Sequence, residues 1–120
     1  TFASNTPVQC AYAKFMENKD TYLSVPKFYE AKRDLFLSLI KGSRFRATPS
    51  RGTYFQMLDY SGITDEADTA FARRMTIEHG VAAIPPSVFY HDGQDNRVLR
   101  FCFAKKDDTL EKAAERLCRI

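Results

Sequence analysis

The sequence predicts an α/β domain of two layers, a small mixed sheet of about four to five short strands covered by helices. Three observations carry that expectation. Apolar residues recur every three and four positions through the first third of the chain. After Gly42 the period drops to two. The alternating stretch Arg97 to Lys106, RVLRFCFAKK, is then followed by a segment with acids early and bases late, as in a helix.

At 120 residues, 44% of them hydrophobic and with ten Phe and six Tyr, the chain can bury one core but not two. Eighteen Lys and Arg against 15 Asp and Glu leave +3 with the signs mixed, a weak pointer to nucleic acid. No apolar run approaches the ~18 residues of a membrane helix. Cys10, Cys102 and Cys118 are far apart and without a CxxC. They read as small buried hydrophobes in a reducing compartment, not as a disulfide frame or metal site.

Taken in order, Thr6 as N-cap, Pro7 at N1 and Gln9 at N3 make a capping box for a first helix running to about Asn18, with Ala11, Phe15 and Met16 near one stripe. A polar break, Asn18 to Thr21, follows. Ser24 is then expected to cap a longer helix ending at Gly42, with Pro26 in its first turn. Phe28, Lys32, Leu35, Phe36, Leu39 and Ile40 form its stripe, and these aromatics, like Met16, read as core.

Phe45 to Thr48 and Thr53 to Tyr60 are expected to pair as a hairpin, with Tyr54, Gln56, Leu58 and Tyr60 on one face. Thr64 is the expected cap of a third helix, with Phe71, Met75 and Ile77 inward, and Gly80 ends it. Val81 to Ile84 reads as a short buried strand stopped by Pro85 and Pro86, and Ser87 to Tyr90 resumes strand character. The polar turn 91–96 leads into the Arg97–Lys106 strand. Asp107 or Asp108 caps the last helix.

In that strand Leu99, Phe101 and Phe103 share a face, while Arg100 stands among Val98, Cys102 and Ala104 on the other. An always-charged guanidinium is costly to dry out unless it meets an anion. Two readings stay open: a sheet-edge Arg reaching water or an internal carboxylate, or an Arg that binds an anion. The rigid loop Ile84-Pro85-Pro86-Ser87 is the other stretch worth naming. No glycine-rich phosphate loop, HExxH, GxSxG or Cys/His cluster is present, so neither catalytic, cofactor-binding nor metal-ligating residues are assigned.

A resemblance goes further. Leu99-Arg100-Phe101-Cys102-Phe103-Ala104-Lys105-Lys106 followed by Asp108-Thr109-Leu110 is similar to the C-terminal signature of class I/II aminotransferases, fold type I enzymes that use pyridoxal phosphate. Gly52-Thr53-Tyr54-Phe55, Glu78-His79-Gly80-Val81-Ala82-Ala83-Ile84-Pro85 and Asn5-Thr6-Pro7-Val8-Gln9 extend the match in the family's order across essentially the whole chain. It is nearest the methionine and kynurenine aminotransferase branch, which Pro85-Pro86-Ser87-Val88-Phe89 resembles except at Pro86, where Leu or Gly is expected.

The resemblance implies the C-terminal small domain of a two-domain enzyme, with 1–20 a linking helix region and 21–120 the domain proper. The large pyridoxal-phosphate domain, carrying the Schiff-base lysine, would lie before Thr1. It implies that Arg100 binds the substrate α-carboxylate and that Phe2 reaches a partner subunit's substrate pocket. Amino acid and 2-oxo acid substrates, a cytoplasmic homodimer and no nucleic-acid or membrane partner go with it. Lys41, Lys105 and Lys106 match no lysine motif of the family, so no cofactor is expected on these 120 residues alone, and the chain on its own is expected to be inactive. Two alternatives remain: a stand-alone amino-acid-binding or regulatory domain using Arg100, and a small RNA-binding module, since Arg100 to Phe103 resembles the aromatic strand of an RNA-recognition motif.

Overall fold

A computed structural model describes residues 3–120; the expectation for Phe2 lies outside the described residues. Helix α1, Thr6–Met16, is followed by α2, Asp20–Leu23, and α3, Val25–Leu39. Strand β1, Phe55–Asp59, precedes α4, Asp68–Arg74, which runs into a π-helical turn at Met75–His79. A 3-10 turn, Pro86–Phe89, leads to β2, Val98–Cys102, and α5, Asp107–Leu117.

The two-layer α/β architecture is as expected, but the sheet is smaller. β1 and β2 pair antiparallel, with Leu58 opposite Leu99 and Met57 opposite Arg100. The segments expected as further strands each pair at a single residue, Arg46 with Asp59 and Ile84 with Arg100, both antiparallel. Beyond the Ile84 bridge proline sets that limit, since Pro85 and Pro86 have no amide donor to lengthen the ladder.

Helix starts shift for identifiable reasons. Asn5, in extended backbone, caps α1 by accepting the Val8 N–H at 3.1 Å, and Thr6 is already helical. The break at Asn18 to Thr21 contains the start of α2. Ser24 is itself helical and makes no side-chain cap, so α2 runs on into α3. Thr64 Oγ1 accepts the Glu66 N–H at 3.3 Å in a local turn, which delays α4 to Asp68. Lys106 occupies the cap position of α5, while Asp107 spends its carboxylate on Lys32 Nζ at 2.5 Å and ties α5 to α3.

The core lies on one sheet face. Leu58, Tyr60, Leu99, Phe101 and Phe103 are buried there against Phe36 and Ile40 of the α3 end, Phe71 and Met75 of α4 and its π turn, and Leu110, Ala114 and Leu117 of α5. Rings interlock: Phe45 meets Phe101 edge-on at 6.0 Å, and Tyr60 lies 4.6 Å from Phe71. Several residues expected inside are not. The π turn after Met75 swings Ile77 out to 71% exposure; Gly80, at φ 63°, then ends the segment. Phe28 and Met16 are exposed, and α1 buries none of its residues. Cys10, Cys102 and Cys118 are exposed as well. Among the described residues no helix is long and apolar enough to cross a membrane.

Candidate functional site around Arg100

Arg100 sits mid-strand on the sheet face away from the core. The pleat puts it with Phe55 and Met57 of β1, and Phe55 is its diagonal cross-strand neighbour. The guanidinium carbon lies 4.8 Å from the Phe55 ring centre and 5.5 Å from that of Phe89. Both distances lie within cation–π range. Arg100 is half-buried, and among the described residues no carboxylate pairs with it and no side-chain acceptor takes its N–H groups.

Other arginines show what a partnered one looks like. Arg74 lies 5.1 Å from the Phe71 ring and also pairs with Glu66 at 2.7 Å, which holds the Glu66 carboxyl below the usual carboxylate range. Arg97, three residues before Arg100, is paired with Asp65. Among the described residues Arg100, by contrast, has no carboxylate partner.

The Ile84 segment forms the site's second wall. Arg100 donates its amide to Ile84 O at 2.9 Å and accepts the Ile84 N–H at 3.0 Å, so the rigid loop singled out in the sequence lies directly beside it. Ser87 to Tyr90 does not resume a strand. Proline's fixed φ suits the opening of a 3-10 turn, and Pro86–Phe89 coils so that Phe89 comes over the guanidinium.

A cleft of about 280 Å³ opens here, lined by Arg100 together with Tyr54, Phe55, Ala83, Ile84, Cys102 and Lys105. Its two charged groups are both cationic, and none of its lining residues is acidic. Larger clefts exist, of about 520 and 650 Å³, but their half-buried cations are already engaged: Arg33 with Asp34 and Glu30, Lys32 with Asp107. The Arg100 cleft holds a half-buried cation that no carboxylate pairs with among the described residues. Among the described residues no group of His, Cys, Asp or Glu could hold a metal ion.

The turn is held from behind. Asp68, 2% exposed, accepts the Ser87 hydroxyl at 2.6 Å through Oδ1 and the Ser87 N–H at 2.9 Å through Oδ2. Its own amide donates to Asp95 Oδ2 at 2.8 Å, and Tyr60 OH donates to Glu66 O at 3.0 Å beside it. Burial and the nearby Asp95 and Asp68 charges push the Tyr60 hydroxyl well above its ordinary value. Sequence reasoning named Arg100 and the 84–87 loop but missed Phe55, Phe89 and Asp68. The first needs the strand register, and the others need the turn's three-dimensional path.

The whole-chain comparisons agree with one another. Residues 1–117 match the family model described as aminotransferase class I and II. The chain is 46% identical over 121 residues to methionine aminotransferase of Escherichia coli, covering 100% of this chain and 31% of that protein. Against kynurenine–oxoglutarate transaminase of Dictyostelium discoideum the identity is 33%, over 99% of this chain and 32% of the relative. Among solved structures, an Escherichia coli protein with a methionine aminotransferase function superposes with a TM-score of 0.93 at 45% identity, over 100% of this chain and 32% of that one. N-succinyldiaminopimelate aminotransferase of Mycobacterium tuberculosis gives 0.84 at 32% identity, over 98% and 31%. The chain thus spans about a third of the length of the relatives it matches.

Proposed function

The chain belongs to the class I and II aminotransferase family, and on that footing we propose that it serves an enzyme moving an amino group between an α-amino acid and a 2-oxo acid, with Arg100 gripping the substrate α-carboxylate. One observation carries the assignment: a half-buried guanidinium within cation–π reach of two rings, without an anionic partner among the described residues, in a cleft whose only charged lining groups are cations. The planar fork offers two parallel N–H groups to a carboxylate. Fixing the carboxylate orients the Cα–H bond, a positioning effect. Methionine or an aromatic amino acid is the proposed donor, in keeping with the relatives named above.

The family implies pyridoxal phosphate in the intact enzyme, where it supplies the electron sink. The groups lining this cleft are one guanidinium, one amine, one phenol and one thiol among apolar walls. That set suits a single carboxylate and does not fit a phosphorylated pyridine, so no step is routed through the cofactor at these residues. Residues 1–20 as a linking region, a homodimeric assembly with Phe2 at the partner's pocket, and a cytoplasmic location belong to the same proposal. That α1 buries none of its residues supports the first.

The test is Arg100→Ala in the enzyme that carries this chain. Losing one partner of a buried charge pair costs about 2–5 kcal/mol, a fall in kcat/KM of roughly tens- to thousands-fold. Thermal stability stays level because the partner is the substrate, and Arg100→Lys recovers only part of the loss. A variant with near-normal kcat/KM and a lowered Tm would overturn the assignment.

A further inference from the structure

We infer that Asp68 is a positioning residue for the carboxylate grip, acting through Ser87 and Phe89. The inference rests on the Arg100 reading given above. A buried carboxylate without a cation is a costly way to hold a turn. Here both oxygens of Asp68 are aimed at one residue, accepting the Ser87 hydroxyl at 2.6 Å and the Ser87 N–H at 2.9 Å. Pro85 and Pro86 have no N–H, so Ser87 carries the first amide after Ile84 that can tie this loop to the body. Downstream, the Tyr90 and Gly93 amides return only to Ser87 O and Tyr90 O, inside the loop itself. Asp68 is thus the hydrogen-bonded tie of this turn to the body, beside the apolar tie made by the buried Pro86 ring.

What the anchor positions is Phe89. Two residues beyond Ser87, its ring is 65% exposed, yet it lies 5.5 Å from the Arg100 guanidinium. Phe55 is placed by strand pairing, whereas Phe89 has no ladder to place it. Without the Asp68 latch the turn keeps only the buried Pro86 to hold it, Phe89 at its far end is less fixed, and the guanidinium loses part of the contact that orients it.

The test uses the full-length enzyme with Ser87→Ala, Asp68→Asn and Phe89→Ala. The readouts are kcat and KM for L-methionine and the inhibition constant of 3-phenylpropionate, a carboxylate without an amine. Each variant is expected to raise KM and the inhibition constant together by about 2- to 30-fold, the range of one cation–π wall, with kcat nearly unchanged. Ser87→Ala added to Phe89→Ala should change the inhibition constant by less than about twofold, because both act through one ring. Phe89→Ala removes an exposed side chain, so folding does not limit that arm. If Ser87→Ala lowers Tm and leaves both constants alone, the latch is structural only and the inference falls. If Arg100→Ala leaves 3-phenylpropionate inhibition unchanged, it is the Arg100 reading that fails instead.

Discussion

The two faces of the β1–β2 ribbon are built from the same ten residues and do opposite work. On one, Gln56, Leu58, Leu99 and Phe101 are at most 4% exposed. Every polar group of Gln56 is used, with Nε2 donating to Thr48 O and Met57 O and Oε1 accepting the Ser50 N–H. On the other, Arg100 is half-buried with no anionic partner, between Phe55 and Phe89. A satisfied face contributes stability, because nothing on it is better off in water. An unsatisfied one holds its donors for a ligand and contributes little to the fold.

Substitutions can break that contrast, beginning with the largest effect on stability. Leu99→Ala removes a fully buried side chain and should cost about 2–5 kcal/mol, read from the denaturant midpoint of the purified protein. A loss below about 1 kcal/mol would mean that this face is not the core. Gln56→Ala comes next, at about 1–3 kcal/mol, since it strands two carbonyls and an amide that Gln56 now satisfies. Gln56→Glu should also destabilise, because a carboxylate cannot donate to Thr48 O.

Phe55→Ala probes the opposite face. Stability should fall by less than about 1 kcal/mol while KM for a carboxylate substrate rises several-fold, so that the two readouts separate. If stability and KM moved together, the two faces would not be independent.

The smallest effect is with pH. Burial raises the Asp59 carboxyl, but the Ser61 amide and hydroxyl and the Arg46 guanidinium outweigh it and leave it below the ordinary 3.8. Arg74 leads in lowering Glu66 below 4.5. Groups depressed in the folded state stabilise it above their unfolded values, and that stabilisation is lost as pH falls through the folded ones. Tm should therefore be flat in this respect above about pH 5 and decline below about pH 4. Asp59→Asn together with Glu66→Gln should flatten part of that decline; an unchanged slope would show that other carboxylates carry it.

How much of this was legible in the sequence follows the range of the forces involved. The burial of Leu99, Phe101 and Phe103 and the opposed face with Arg100 follow from side-chain period, which is local. Gly80 could be named as a helix end because a left-handed residue favours glycine whatever surrounds it. Family membership was legible too, because the motifs keep their order along the chain. Boundaries were less so. Asn5 displaced Thr6 by capping the Val8 amide, whereas α4 and α5 start after Ala67 and Lys106 with no side-chain cap, because Thr64 is used in a local turn and Asp107 on Lys32.

The sequence by itself determined which residues could be inside and that Arg100 would stand apart from them, since alternation and the cost of drying a charge act at every position. Only the tertiary structure decided how many strands form, because pairing needs a partner strand that the sequence does not name, and at Ile84 the two prolines that follow remove the next donors. It alone decided that Phe55 and Phe89 flank Arg100, and that Asp68 reaches across 19 residues to Ser87. Those contacts join positions distant in the chain, and no local preference of either residue encodes the meeting.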